Sequence, residues 1–218
     1  IIDRVGPTVT QLRPRIAGGK ATLTRKGAAR SWLQWNLGDA WSGVRSAVLQ
    51  RKRPGSGWRT VGKVSNKTAL VTLKSGQSNL FRVKAWDKVG NYSYSRNIAA
   101  RLSVRDSNSR AWKVPAKWKT KKARKAYGGS LLVTTGLTDS LRTSFQGKAL
   151  AIVSSVGPKR GFLRVRVDDG TWTAVSLRAG KAGHRRIVWS RALTPGTHKV
   201  EISGYRGLST LDALLIIR

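Results

Sequence analysis

Apolar residues in this chain recur at every second position. In Phe81-Arg82-Val83-Lys84-Ala85-Trp86, Phe81, Val83 and Ala85 fall on one side and Arg82, Lys84 and Trp86 on the other. A period of two is the signature of a strand with one buried face, because successive side chains of an extended chain point to opposite sides. The same rhythm, broken by turn residues, predicts seven strands in the first half. They are Ala21 to Thr24, Ser31 to Leu37, Arg45 to Arg51, Trp58 to Val64, Thr68 to Leu73, Leu80 to Trp86 and Tyr92 to Ser95. It returns after Tyr127 at Ser130 to Thr134, Ser140 to Phe145, Ala149 to Val153, Phe162 to Val167, Trp172 to Leu177, Arg185 to Trp189, Lys199 to Ile202 and Leu211 to Ile217. The expectation is an all-β chain of two β-sandwich domains, residues 1–105 and 127–218.

Between them, residues 106–126 carry Pro115, few aliphatics and a run of cations, and read as a basic linker. Trp112 and Trp118 interleave with its lysines, a pattern that can grip an extended polyanion or a sugar face. The charge is not confined to this stretch. Across 218 residues, 43 Lys and Arg face nine Asp and Glu, a formal net charge of +34. Such a surface repels itself and calls for a partner that neutralises it: anionic polysaccharide, cell-wall polymer or extracellular DNA. Lys117, Lys119, Lys121, Lys122, Arg124 and Lys125 are the expected polyanion contacts, followed by Arg185 and Arg186.

Two successions of residues resemble known families. Trp35, Asp39 with Ser42-Gly43-Val44, Trp58, Phe81 to Ala85 and Asp87-Lys88-Val89-Gly90-Asn91 follow the order of a bacterial fibronectin type III or related immunoglobulin-like domain over roughly residues 3 to 104. The resemblance implies a seven-stranded sandwich. Asn79 stands two before Phe81, where that family often carries a corner tyrosine. The second half, through Tyr127-Gly128-Gly129, Ser144 to Gly147, Gly157-Pro158, Asp168-Asp169-Gly170, Thr194 to His198 and Leu211-Asp212-Ala213, resembles the galactose-binding-like jelly rolls of secreted bacterial, especially actinobacterial, proteins. That resemblance implies a jelly roll that engages carbohydrate, and a structural calcium is an option in such domains. Trp172, beside the Asp168 turn, is the candidate sugar-stacking residue, with Asp168 as its polar companion. Asp168 and Asp169 read first as turn formers, because neighbours on a strand would point to opposite faces.

Catalytic chemistry finds little to work with. With no cysteine, a zinc site would need both histidines, His184 and His198, and carboxylates brought to them by the fold. There is no nucleophile-elbow Gly-x-Ser-x-Gly, no Walker loop and no zinc-finger spacing. The longest apolar runs, Leu131-Leu132-Val133 and Leu214 to Ile217, fall far short of a membrane span. The start at Ile1, without an initiator Met, reads as a mature or excised segment. The reading is a non-catalytic, extracellular or cell-surface binding and adhesion module. Its alternatives are a self-assembling filament or sheath subunit and the accessory tail of a secreted hydrolase.

Overall fold

A computed structural model of the chain describes residues 2–64, 67–137 and 139–218. Its first half contains β1 (Thr8–Ile16), β2 (Ala28–Gly38), β3 (Val44–Lys52), β4 (Arg59–Val64), β5 (Thr68–Lys74), β6 (Ser78–Asp87), β7 (Tyr92–Tyr94) and β8 (Ile98–Asp106). The second half contains β9 (Lys119–Lys122), a single 3-10 turn at Tyr127–Gly129, β10 (Ser130–Thr135), β11 (Leu141–Val156), β12 (Phe162–Val167), β13 (Thr173–Ser176), β14 (Gly183–Arg206), β15 (Leu208–Leu211) and β16 (Ala213–Ile217). The protein is all-β, and no helix among the described residues is long and apolar enough to cross a membrane.

Among the described residues the strands form two small sheets and one large one. The small sheets run β1-β2-β5 and β15-β10-β9. The large sheet has ten strands in the order β13-β12-β14-β11-β16-β8-β6-β3-β4, with β7 also paired to β6. Its centre is a seam. The C-terminal β16 pairs antiparallel with β8 on one side, from Leu102 opposite Ile217 to Asp106 opposite Ala213, and with β11 on the other.

That seam explains two continuous apolar runs. Ala213, Leu215 and Ile217 belong to a core enclosed by the β1-β2-β5 sheet, whereas Leu214 and Ile216 belong to a second core enclosed by the β15-β10-β9 sheet. β11 divides likewise, with Ala149, Ala151 and Val153 in the first core and Leu150 and Ile152 in the second. A strand covered on both faces has no use for a polar alternate, so it reads as an unbroken run. The run at Leu214 to Ile217 is therefore the central stave between two cores. Fully burying a Leu or Ile contributes roughly 1.5–3 kcal/mol.

A bulge sets the phase of β11. Leu141 and Phe145 face the second core, yet Leu150 and Ile152 also do, because the register slips between Gly147 and Ala149. One extra residue inverts every later side chain. The residue in the slip, Lys148, sends its Nζ to the carbonyl of Ala99 at 2.7 Å, and burial pulls its pKa below the ordinary lysine range. At Gly147, a Cβ would come within 2.8 Å of Ile216 Cγ2.

Several expectations require correction. Ala21 to Thr24 is not a strand but a loop with one isolated bridge, Thr22 to Arg186, while β1 and β8 were not foreseen. Pro14 obscures β1, since proline argues against a strand interior. In the second half, Ser140 to Phe145 and Ala149 to Val153 are one bulged strand, as are Arg185 to Trp189 and Lys199 to Ile202. Residues 106–126 are packed rather than strung out. Trp112 and Trp118 are buried in the second core, their Nε1 groups donating to the carbonyls of Asp106 and Asp139. β9, inside the same stretch, pairs with β10.

Further bonds cross the seam. The Leu23 amide donates to Arg185 O at 2.8 Å, and the Ile187 amide donates to Ala21 O at 3.0 Å. Asp212, fully buried between β15 and β16, accepts the Tyr127 amide at Oδ1 (2.9 Å) while Oδ2 has no partner. Burial, with Asp106 adding repulsion, outweighs the Tyr127 amide and Arg185, so the Asp212 carboxyl is pushed up to about 7. Gly128, with φ of 67°, is required here because a Cβ would lie 1.6 Å from Asp106 Oδ2.

Candidate functional site

Each small sheet covers only part of the ten-stranded sheet. The face of β6 opposite Phe81, Val83 and Ala85 is left open, and it carries Arg82, Lys84 and Trp86. β7 brings two tyrosines alongside, with Tyr94 opposite Lys84 and Tyr92 opposite Trp86. The Arg82 guanidinium lies 4.2 Å from the Trp58 ring centre and 4.0 Å from that of Tyr94, and its Nε donates to Gln50 Oε1 at 2.8 Å. Lys84 Nζ lies 4.0 Å from Tyr92, 4.6 Å from Trp86 and 5.5 Å from Tyr94. Cations and rings thus alternate in one strip, each contact worth about 0.5–1 kcal/mol at an exposed site. Tyr92 and Tyr94 remain 55% and 43% exposed, which leaves ring surface for a ligand.

The other end of the sheet repeats the chemistry on the opposite side. On β12, Leu163, Val165 and Val167 enter the second core, so Arg164 and Arg166 point outward. The hairpin turn at Asp168-Asp169-Gly170 returns the chain so that Trp172 sits under both, with guanidinium-to-ring distances of 4.6 and 4.8 Å. Glu201, nearly buried, accepts from Arg166 Nη2 at 2.9 Å and from Arg142 Nε at 3.2 Å. Beside this group lies a groove of about 640 Å³ whose lining includes Lys113, Arg142, Ser144, Lys199 and Glu201. One carboxylate therefore serves two arginines, and the surroundings stay cationic.

The residues expected from sequence divide by what they touch. Trp172 is half-buried within the second strip. Asp168 is engaged within the turn. Its Oδ2 meets His198 Nδ1 at 2.6 Å and its Oδ1 accepts the Lys199 amide at 2.9 Å. Arg185 donates to the carbonyls of Leu23 (3.1 Å) and Lys125, and Arg186 to that of Gly19 (3.1 Å), so both fasten the two halves together. Lys117, Lys119, Lys121, Lys122, Arg124 and Lys125 line the surface, and three of them lie on β9, an edge strand. Lysine on an edge also deters pairing with another chain, so this row has a structural use of its own.

The histidines are likewise accounted for by their neighbours. His198 is buried, with Nδ1 on the Asp168 carboxylate and Nε2 on the Thr194 carbonyl at 2.8 Å. Both partners only accept, so the imidazolium form satisfies the site. Burial lowers its pKa, but those two acceptors outweigh burial and the net shift is upward. His184 moves downward, through burial and then the charges of Lys125, Arg185 and Arg160.

Sequence reasoning did not assemble the first strip. Arg82, Lys84 and Trp86 were legible as one outward face, and Tyr92 and Tyr94 repeat at the same spacing, but pairing of β6 with β7 had to bring them together. A carboxylate cluster was also missed. Asp3, Asp39 and Asp87 bring carboxylate oxygens within 4.8 Å of one another at the tip of the first core. Backbone amides offset much of that repulsion, those of Trp41 and Gly43 at Asp39 and those of Gly90 and Asn91 at Asp87.

Fold and surface together define an all-β protein with two cores on one shared sheet and a cation–aromatic strip on each uncovered half-face. No protein-family model matches the chain, and no curated protein does. Among solved structures it is similar to one described in terms of the promiscuous specificity of carbohydrate-binding modules from the β-sandwich superfamily, with 10% identity, a TM-score of 0.36 and 97% of each chain covered. It is similar to the exo-β-1,3-galactanase of Phanerochaete chrysosporium (10% identity, TM-score 0.39), covering 91% of this chain and 56% of that one. It is also similar to the α-L-rhamnosidase of Aspergillus terreus (14% identity, TM-score 0.33), covering 97% of this chain and 27% of that one.

Proposed function

We propose that this protein is a non-catalytic extracellular module that binds acidic polysaccharide, its first half a fibronectin type III-like sandwich and its second a galactose-binding-like jelly roll. The observation that carries the reading is the pair of strips. Arg82, Lys84 and Arg164 are each held against aromatic rings, and none has a carboxylate partner among the described residues. A cation packed on a ring has already lost much of its side-chain freedom, so ordering it around an anionic ligand costs less. The rings offer flat apolar surface to the C–H face of a sugar. Duplex DNA keeps its bases stacked inside and offers no such face, so it gains only from charge.

The test is retention of the pure chain on immobilised polygalacturonate, a neutral glucan and duplex DNA, each at low and high salt. Binding to polygalacturonate that survives salt, with DNA binding lost, supports the reading. Equal salt sensitivity for polygalacturonate and DNA would reduce the surface to an unspecific polycation. Large particles formed without any ligand would point instead to a self-assembling subunit.

A further inference from the structure

Building on that reading, we propose that the protein is bivalent and joins two separate acidic polysaccharide chains, one on each side of its central sheet. The sidedness follows from strand parity. Val83 and Ala85 of β6 face the first core, so Arg82, Lys84 and Trp86 lie on the sheet's other side, the side on which the second core is built. Leu163 and Val165 of β12 face that second core, so Arg164 and Arg166 lie on the side of the first. The two strips therefore lie on opposite sides of the sheet.

They are also walled off from each other. β6 and β12 are five strand positions apart in the order β12-β14-β11-β16-β8-β6, which at about 4.8 Å per strand is about 24 Å. The β15-β10-β9 sheet stands on the same side as the Arg82 strip, and the β1-β2-β5 sheet on the same side as the Arg164 strip. A glycan chain lying on either strip thus meets a covering sheet before it can reach the other. Two pre-ordered cationic strips on opposite sides of the sheet, five strands apart, suit two anionic chains rather than one wrapped chain. The seam, with β16 in both cores, fixes the strips relative to each other.

The experiment separates strips from overall charge by altering rings alone. A hexameric galacturonate is titrated calorimetrically into the wild type, Trp172→Ala and the double variant Tyr92→Ala/Tyr94→Ala. The salt is about 0.5 M NaCl, where the Debye length is well below about 8 Å. Light scattering with long polygalacturonate follows on the same samples, and circular dichroism confirms that each variant is folded. Two sites in the wild type and one in each variant are expected, the altered strip weakened by about tenfold or more. Scattering should peak near equivalence for the wild type only. One site in the wild type, or variants that cross-link as well as it does, would overturn bivalency while leaving polysaccharide binding intact. Loss of all hexamer binding by the wild type would instead overturn the binding reading itself.

Discussion

Replacing Asp212 by Asn should abolish a pH dependence built into the seam. Asp212 is fully buried, holds one backbone amide and leaves Oδ2 without a partner, and its carboxyl is pushed from 3.8 up to about 7 by burial and by Asp106. A folded-state value above the unfolded one means that the folded protein keeps a proton which the unfolded chain has released. The resulting stability is complete below about pH 4 and is lost as pH rises to about 7, about 4 kcal/mol in all. Between pH 5 and 8 the wild type should lose about 2–3 kcal/mol from this group. The amide introduced by Asp212→Asn cannot ionise, and its oxygen can still accept the Tyr127 amide. Its new NH2 is left without an acceptor at a cost of about 1–3 kcal/mol, but that offset is the same at every pH. Urea unfolding at pH 5, 6, 7 and 8 measures both proteins, and the difference between them should shrink or reverse as pH rises. Parallel profiles would refute the assignment of the proton to Asp212.

Three other outcomes follow from named contacts. Leu215→Ala should cost about 2–5 kcal/mol and lower a single unfolding transition, because β16 serves both cores, whereas two separate transitions in calorimetry would show that the halves unfold independently. Converting Lys119, Lys121 and Lys122 to Gln should leave urea stability nearly unchanged, and a polyanion salt slope lowered by roughly 0.7–0.9 per residue would place them in the binding surface; an unchanged slope would leave them as edge protection. The contribution of His198 is present below its ordinary value near 6.5 and lost as pH rises through its higher folded value, so His198→Gln should weaken stability at pH 5.5 more than at pH 8, and equal losses at both would argue against the charged pair with Asp168.

Local pattern and long-range pairing contributed differently to these results. β6 and β12 were legible almost residue for residue, because each has one buried face and one polar face. The turn at Asp168-Asp169-Gly170 was also legible, and both aspartates adopt positive φ there (53° and 56°). β1 was hidden by Pro14, and β8 by the absence of any local mark that it would face a strand more than a hundred residues away. Asn79, in place of a corner tyrosine, fastens the same region by donating from Nδ2 to the carbonyls of Gln77 and Ala100.

The candidate site divides along the same line. Arg185 and Arg186 look, in one dimension, like any basic pair on a turn, and only the approach of Leu23, Lys125 and Gly19 turns them into fasteners. Trp112 and Trp118 look like exposed rings in a linker until the second core closes over them. By itself the sequence determined the all-β class, most strand faces and the excess of positive charge, because alternation and charge are written residue by residue. The shared sheet, the double burial of β16 and the opposed strips were decided by tertiary structure alone, because each depends on which distant strands pair and which face a neighbouring sheet covers.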